Sequence, residues 1–164
     1  MIQHPIEPVF DRDSRILILG SFPSVKSREE RFFYGHPQNR FWKVLAAVLD
    51  SQVPQTIESR KKLLLSHGVA LWDVIASCDI TGSSDSSIKN VVPNDLSWIL
   101  DTADIQRIFV NGKTAEKYYK KYLRETVGRD AVCLPSTSPA NAGWSLARLC
   151  EAWSVIRLDI SASE

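Results

Sequence analysis

The chain has 164 residues, with 20 Lys+Arg against 19 Asp+Glu and a formal net charge of +1. Hydrophobic residues make up 44% and charged residues 24%, ordinary globular usage that excludes a disordered tail, a coiled coil and a collagen-like chain. The even charge balance also excludes binding driven by bulk positive charge, so basic groups serving a nucleic acid must be arranged locally.

This length predicts a single domain over residues 1–164 and burial of about 69% of the chain's surface. A core of that size needs neither disulfides nor metals. Cys78, Cys133 and Cys150 are an odd number with no CxxC pair, which argues against a disulfide framework or zinc ribbon and for small buried hydrophobes. His4, His36 and His67 are scattered. No metal or other cofactor is therefore expected. The first residues, MIQHPIEPVFDRDSR, carry no apolar run, and no stretch approaches a membrane span. The simplest expectation is a monomer in a reducing cytoplasm (nucleoid-associated in a prokaryote), with no membrane partner.

In chain order, RILILG (residues 15–20) reads as a strand buried on both faces. The next 18 residues hold Pro23, Gly35 and Pro37 and read as a long connection, the kind that usually carries function. NRFWKVLAAVLD follows as a helix with Asn39 at the N-cap position. Residues 57–67 read as a second helix stopped by Gly68, and VALWDVIA (residues 69–76) as a second strand. Residues 81–90 read as a serine-rich loop, and a short helix is expected from Pro93, with that proline in its first turn. IQRIFVNG (residues 105–112) is a third strand, and TAEKYYKKYLRE a helix with Ala115, Tyr118 and Tyr122 inward. AVCL begins a fourth strand and loop. SLARLCEAWSVIR is a last helix, with Leu146, Leu149, Cys150 and Trp153 on one stripe.

Strands alternating with helices predict an α/β three-layer sandwich, a small four-stranded, mainly parallel sheet between helices. Ligands bind beyond the carboxyl ends of such strands. Four segments should therefore converge on one crevice: residues 21–39, 73–87, 111–113 and 135–144.

Several motifs have plain readings. NGKT (residues 111–114) lacks the phosphate-loop glycine, since Arg107 occupies that position. It reads as a strand-to-helix turn. GSFPS lacks the GxSxG pattern of a serine hydrolase. The loop RFFYGHPQNRFW is rich in rings that either fold back on the core or offer a face to a planar base. STSPANAG (residues 136–143) is either an ordinary capping loop or a phosphate-binding one. Arg28, Arg31, Arg40 and Lys43 lie near the first loop, and Arg60, Lys61 and Lys62 form another basic run. Lys117, Lys120, Lys121 and Arg124 read as a solvated helix face.

Together, ILILGSFPS, FYGHPQNRFWKVL, VALWDVIA, RIFVNGKTAEKY and LPSTSPAN resemble the uracil-DNA glycosylase superfamily over residues 15–153, with GHPQNRFWKVL the most specific piece. Four positions depart from the usual pattern. Phe22 stands where a water-positioning Asp or Asn is usual, Ser136 where the second motif commonly begins with His or Asn, Ala140 at the wedge position, and Asp73 where several branches read uracil with Asn. The hypoxanthine-DNA (deoxyinosine) glycosylase branch resembles the sequence better, and that resemblance implies Asn39 as the catalytic residue.

The resemblance implies a monofunctional enzyme that flips a deaminated base out of DNA, most simply hypoxanthine, and hydrolyses its N-glycosidic bond. Asn39, Asp73 and Asn111 are the catalytic candidates. Asn39 would hold water or donate to the base, and Asn111 would read a base carbonyl or ring N–H. For Asp73 three readings stay open: general base, reader of a protonated ring nitrogen, or partner of a basic residue. Phe22, Pro23, Tyr34 and His36 would hold the base, with Tyr34 stacked on it. Ser24, Ser136, Ser138 and Asn141 would hold the DNA backbone. Lys113 shows no sign of a depressed pKa that would suit a Schiff-base lyase. The rivals are a uracil or mismatch glycosylase of the same fold, a catalytically silent DNA-binding module, and an unrelated small-molecule α/β hydrolytic enzyme.

Overall fold

The computed structural model describes residues 1–157; residues 158–164, the end of the expected domain, lie outside the described part. Its centre is a four-stranded parallel sheet of β2 (Ile16–Gly20), β3 (Val69–Asp73), β6 (Arg107–Asn111) and β7 (Val132–Leu134), in the order β3-β2-β6-β7. Residues 16–19 of β2 are fully buried because alternate side chains feed two cores. Ile16 and Ile18 face α2 (Phe41–Val48), α3 (Ile57–Ser66) and α7 (Leu146–Trp153), through Phe41, Leu45, Leu64, Leu149 and Trp153. Leu17 and Leu19 face the opposite layer, with Ile75, Ile99, Ala115 and Tyr119. The expected three-layer α/β architecture is present.

The chain runs from β2 to β3 on one side and returns to β6 on the other. The switch point therefore lies at the carboxyl end of β2, where such sheets open a crevice. Register puts Gly20 opposite Asp73, and the Leu19–Val110 pair places Asn111 one step beyond on the other side.

Several expectations need correction. The segment 69–76 is not one strand. It breaks at Val74, and β4 (Ile75–Asp79) leaves for a second, antiparallel sheet between β1 (Ile2–Gln3) and β5 (Lys89–Pro93). Val74 N–H bonds Gly20 O, and Ile75 N–H bonds Ser21 O, so the chain turns over the end of β2 instead of continuing the sheet. The long connection contains a six-residue helix, α1 (Val25–Glu30), capped by the Ser24 hydroxyl. The serine-rich segment includes a 3₁₀ turn at Asp85–Ser87 and the start of β5. Pro93 ends β5, and the following helix, α4, spans Ser97–Thr102. The helix at 114–125 is broken by a π turn at Tyr119–Leu123, between α5 (Lys113–Tyr118) and α6 (Arg124–Val127). That turn buries Tyr119, whose hydroxyl donates to Arg129 O at 2.6 Å. Leu146 is exposed, while Leu149 and Trp153 are buried. Cys78 is buried, but Cys133 and Cys150 are only half-buried.

The first nine residues, for which the sequence offers no element, wrap the sheets. Ile2 and Gln3 pair with Cys78 and Ser77, His4 N–H bonds Ala76 O, and Val9 bridges Leu71 on the edge of β3.

Candidate active site

A crevice of about 250 Å³ opens at the carboxyl ends of β2, β3 and β6. That volume is at the small end for ligand sites, suited to a single ring system. The expected convergence holds. Residues from 20–39, 73–85, 111 and 136–139 line it, including Phe22, Pro23, Ser24, Tyr34, His36, Asn39, Asp73, Asn111, Ser136 and Ser138. Lys113 and Asn141 are not among the lining residues.

One wall is a net of neutral hydrogen bonds. Asn39 Oδ1 accepts from Phe41 N–H at 3.0 Å and from the Thr137 hydroxyl at 2.9 Å. The side-chain oxygen thus caps the start of α2, as its position suggests, although Arg40 is the formal cap residue. Its orientation follows: with Oδ1 engaged by two donors, Nδ2 is the end left for a ligand, and no protein partner for it occurs among the described residues. Asn111 is held at both ends. Its Nδ2 donates to the Tyr34 hydroxyl at 3.1 Å and to Thr137 Oγ1 at 3.0 Å, and its Oδ1 accepts from Thr137 N–H at 3.1 Å. Both amide hydrogens are engaged, so Asn111 braces the wall and has no free donor with which to read a base.

Thr137, fully buried, is the hub that joins Asn39 to Asn111. Nothing in the sequence separates it from Ser136 and Ser138 on either side. Its carbonyl accepts from Arg40 N–H, and the Arg40 guanidinium donates to the carbonyls of Ser138, Asn141 and Trp144. Arg40 therefore pins the 136–144 loop, its guanidinium engaged by backbone carbonyls. Asn141 has a similar bracing role, donating to Ser136 O at 3.0 Å. The Ser136 and Ser138 hydroxyls accept from Ser138 N–H and Ala140 N–H in local turns.

Tyr34 adopts a left-handed φ of 53°, a conformation costing a non-glycine residue about 1–3 kcal/mol. Stacking on Phe41 at 4.0 Å and the bond from Asn111 offset that strain. One ring face is thus already covered by Phe41, so the expected sandwich with a base has only the other face to use. Burial pushes the phenol pKa far up, the Asp73 charge adds to the rise, and the Asn111 bond opposes it. Tyr34 stays a neutral hydroxyl at any physiological pH. The other rings of this loop mostly fold inward. Phe32 stacks on Trp42, whose indole N–H donates to Phe33 O.

The opposite wall is charged. Asp73, 4% exposed, points its Oδ2 at His4 Nε2, 2.7 Å away. His4 is the residue sequence reasoning missed, because its partner is 69 positions away. Gly20 makes room for this group. A Cβ there would overlap Asp73 Oδ1 and lie 2.8 Å from the Tyr34 hydroxyl. Gly112 is required on two counts, a φ of +93° and a would-be Cβ 2.9 Å from Ser136 Cβ.

Of the basic residues, Arg28 sits over the crevice residue Phe22 and donates to Gly82 O, whereas Arg60 and Lys61 cover Trp42 and Phe32, and Lys117 and Lys121 lie over Tyr118 and Tyr122. Phe22 lines the crevice and packs edge-on to His4.

A parallel sheet carries a strand-end crevice with one wall of fixed amides and one buried carboxylate, sized for a small ring system. A sequence model of the uracil DNA glycosylase superfamily matches residues 7–157. A hypoxanthine DNA glycosylase of Methanosarcina acetivorans is 33% identical over 96% of this chain and 99% of its own length. One from Methanosarcina barkeri is 32% identical over 82% and 85%. The solution NMR structure of a Methanosarcina acetivorans protein assigned as a uracil DNA glycosylase superposes with a TM-score of 0.82 at 32% identity, covering 97% of this chain and 99% of that one. The chain belongs to the uracil DNA glycosylase superfamily. Among the described residues, no helix is long and apolar enough to cross a membrane.

Proposed function

We propose that this protein is a monofunctional DNA glycosylase that releases hypoxanthine from deoxyinosine. The relatives bearing that name support the substrate. The observation that carries the reading is the fixed Asn39 amide, with Oδ1 locked by Phe41 N–H and Thr137 and Nδ2 left for the crevice.

In the reaction, the bond between C1′ and N9 breaks and its electron pair leaves with the purine. Water adds to C1′; its hydroxyl stays on the sugar and a proton reaches the departing base. The products are free hypoxanthine and an abasic site. Negative charge grows on the base, so a preorganised donor stabilises the transition state. Asn39 Nδ2 supplies that donor. With its oxygen engaged, Asn39 acts on the base and not on water. Phe22 cannot orient water either, which leaves a reaction driven by leaving-group stabilisation and favours a modest rate.

Asp73 reads the base. Its carboxylate only accepts hydrogen bonds. Hypoxanthine offers N1–H, whereas adenine presents a lone pair at N1, which the carboxylate repels. Tyr34, Pro23, Phe22 and His36 shape the base pocket, and the Ser136 and Ser138 hydroxyl hydrogens face the DNA backbone. Ser24, whose oxygen caps α1, has a lesser part there.

The test is base release from labelled duplexes carrying deoxyinosine, deoxyuridine or deoxyadenosine, under single-turnover conditions. Hypoxanthine release should dominate, and Asn39→Ala should lower it by about 10²–10³-fold. Uracil release that survives Asn39→Ala overturns this reading. Tight binding without release from any duplex would identify a silent module.

A further inference from the structure

We infer that His4, delivered by the N-terminal segment, is a positioning residue that fixes the aim of Asp73; this rests on Asp73 as the base reader. His4 Nδ1 accepts from Ile6 N–H at 3.2 Å, so that nitrogen carries no proton. The proton is therefore on Nε2, which donates to Asp73 Oδ2 at 2.7 Å. The pair is a neutral imidazole and a carboxylate. An imidazolium would turn a second N–H against Ile6 N–H.

The surroundings hold that arrangement. The two side chains are 3% and 5% exposed. Phe22, Phe33 and Trp72 surround the imidazole with ring centroids 5.9–6.3 Å away and fix the ring's orientation. Trp72 is itself anchored, its indole N–H donating to Ile6 O. Below, Asn94 Nδ2 donates to Asp73 O at 2.9 Å and holds the backbone.

The consequence is directional. With Oδ2 occupied by His4, Oδ1 is the acceptor left for the crevice, on the side of Gly20 and Tyr34. His4 thus makes Asp73 a one-point acceptor for a ring N–H. It also gives Phe22 a structural reason, as one wall of the box that keeps water from the pair. Without the imidazole, the buried carboxylate loses its only side-chain donor among the described residues and with it the fixed aim of Oδ1 at a ring N–H, so selectivity narrows.

Two measurements test this. The first is the ¹⁵N spectrum of the His4 ring in the unliganded wild-type protein at neutral pH, which needs no substrate. A neutral ring protonated at Nε2 is expected; an imidazolium or an Nδ1–H ring overturns the inference. The second compares His4→Leu with His4→Gln on deoxyinosine and deoxyadenosine duplexes. His4→Leu should lower kcat/KM for deoxyinosine by about 10–100-fold and reduce the inosine-to-adenosine ratio by about tenfold or more. His4→Gln, whose Nε2 reaches the same carboxylate oxygen, should recover most of both. An unchanged ratio in a folded His4→Leu protein, or no recovery with Gln, overturns the role. If wild-type protein releases no base while the spectrum shows the Nε2–H ring, the glycosylase reading fails and the His4–Asp73 arrangement stands.

Discussion

The two walls of the crevice are built on different physics. The Asn39–Thr137–Asn111 wall is a neutral net in which the Asn111 and Thr137 donors all meet acceptors and only Asn39 Nδ2 is left for the crevice. Its loop is pinned from behind by Arg40. The Asp73 wall is one buried charge held by one imidazole. The first sets geometry and tolerates no slack, since an unpaired buried amide costs about 1–3 kcal/mol. The second sets polarity, and its sign decides which base edge is accepted. Damage to the neutral wall should therefore lower rate and stability together, whereas damage to the charged wall should change selectivity.

The sharpest way to break this contrast is Asp73→Asn. The amide oxygen can still accept from His4, which turns an N–H₂ group towards the crevice in place of a carboxylate. Deoxyinosine cleavage should fall by at least about a hundredfold, and the inosine-to-adenosine ratio should fall with it. Competition kinetics on mixed duplexes would read both. A variant that loses rate but keeps the ratio would make Asp73 a catalytic group and not a reader.

Thr137→Val keeps the shape and removes the hub hydroxyl. Cleavage should fall about tenfold, equivalent to about 1.4 kcal/mol of barrier. Folding stability should drop by about 1–3 kcal/mol, because an Asn111 donor is left buried and unmet. Selectivity should hold. Urea unfolding beside the cleavage assay checks the coupling, and a changed base ratio would mean the two walls are not separable.

Tyr34→Phe keeps the Phe41 stacking but leaves the other Asn111 amide hydrogen unmet, so at neutral pH stability should fall by about 1–3 kcal/mol while cleavage changes less than in Thr137→Val. Its signature is at alkaline pH. The folded phenol holds its proton more tightly than the unfolded one, so stability present below about pH 10 is lost as pH rises beyond it. Melting temperatures from pH 8 to 11 should decline in the wild type and decline less in Tyr34→Phe. Buried Tyr118 and Tyr119, shifted upward by desolvation, should keep some slope in the variant.

The strands β2, β3 and β6 are legible in the sequence because each holds an apolar run buried from both sides, as Ile16 to Leu19 shows. Asn39 and Tyr34 are legible because polar and aromatic residues crowd a segment broken by Gly and Pro. By contrast, α1 reads VKSREE, with no apolar stripe, and depends on the Ser24 cap and the Ser27–Gly35 contact. β5 is an exposed edge strand with little hydrophobic pattern. The break at Val74 has no Gly or Pro to announce it. It is imposed by hydrogen bonds to Gly20 and Ser21, more than 50 residues earlier. The contribution of His4 is invisible for the same reason, since no local pattern encodes a partner that far along the chain.

That separation has a consequence for how the molecule comes into being. His4 leaves the ribosome 69 residues before Asp73. At about 5–20 residues per second, the gap is roughly 3–14 s. β4, on which the leading strand docks, emerges later still. A nascent chain thus carries its imidazole for that interval with nothing to meet it, and the charged wall forms only after the second parallel strand and its antiparallel continuation are both available.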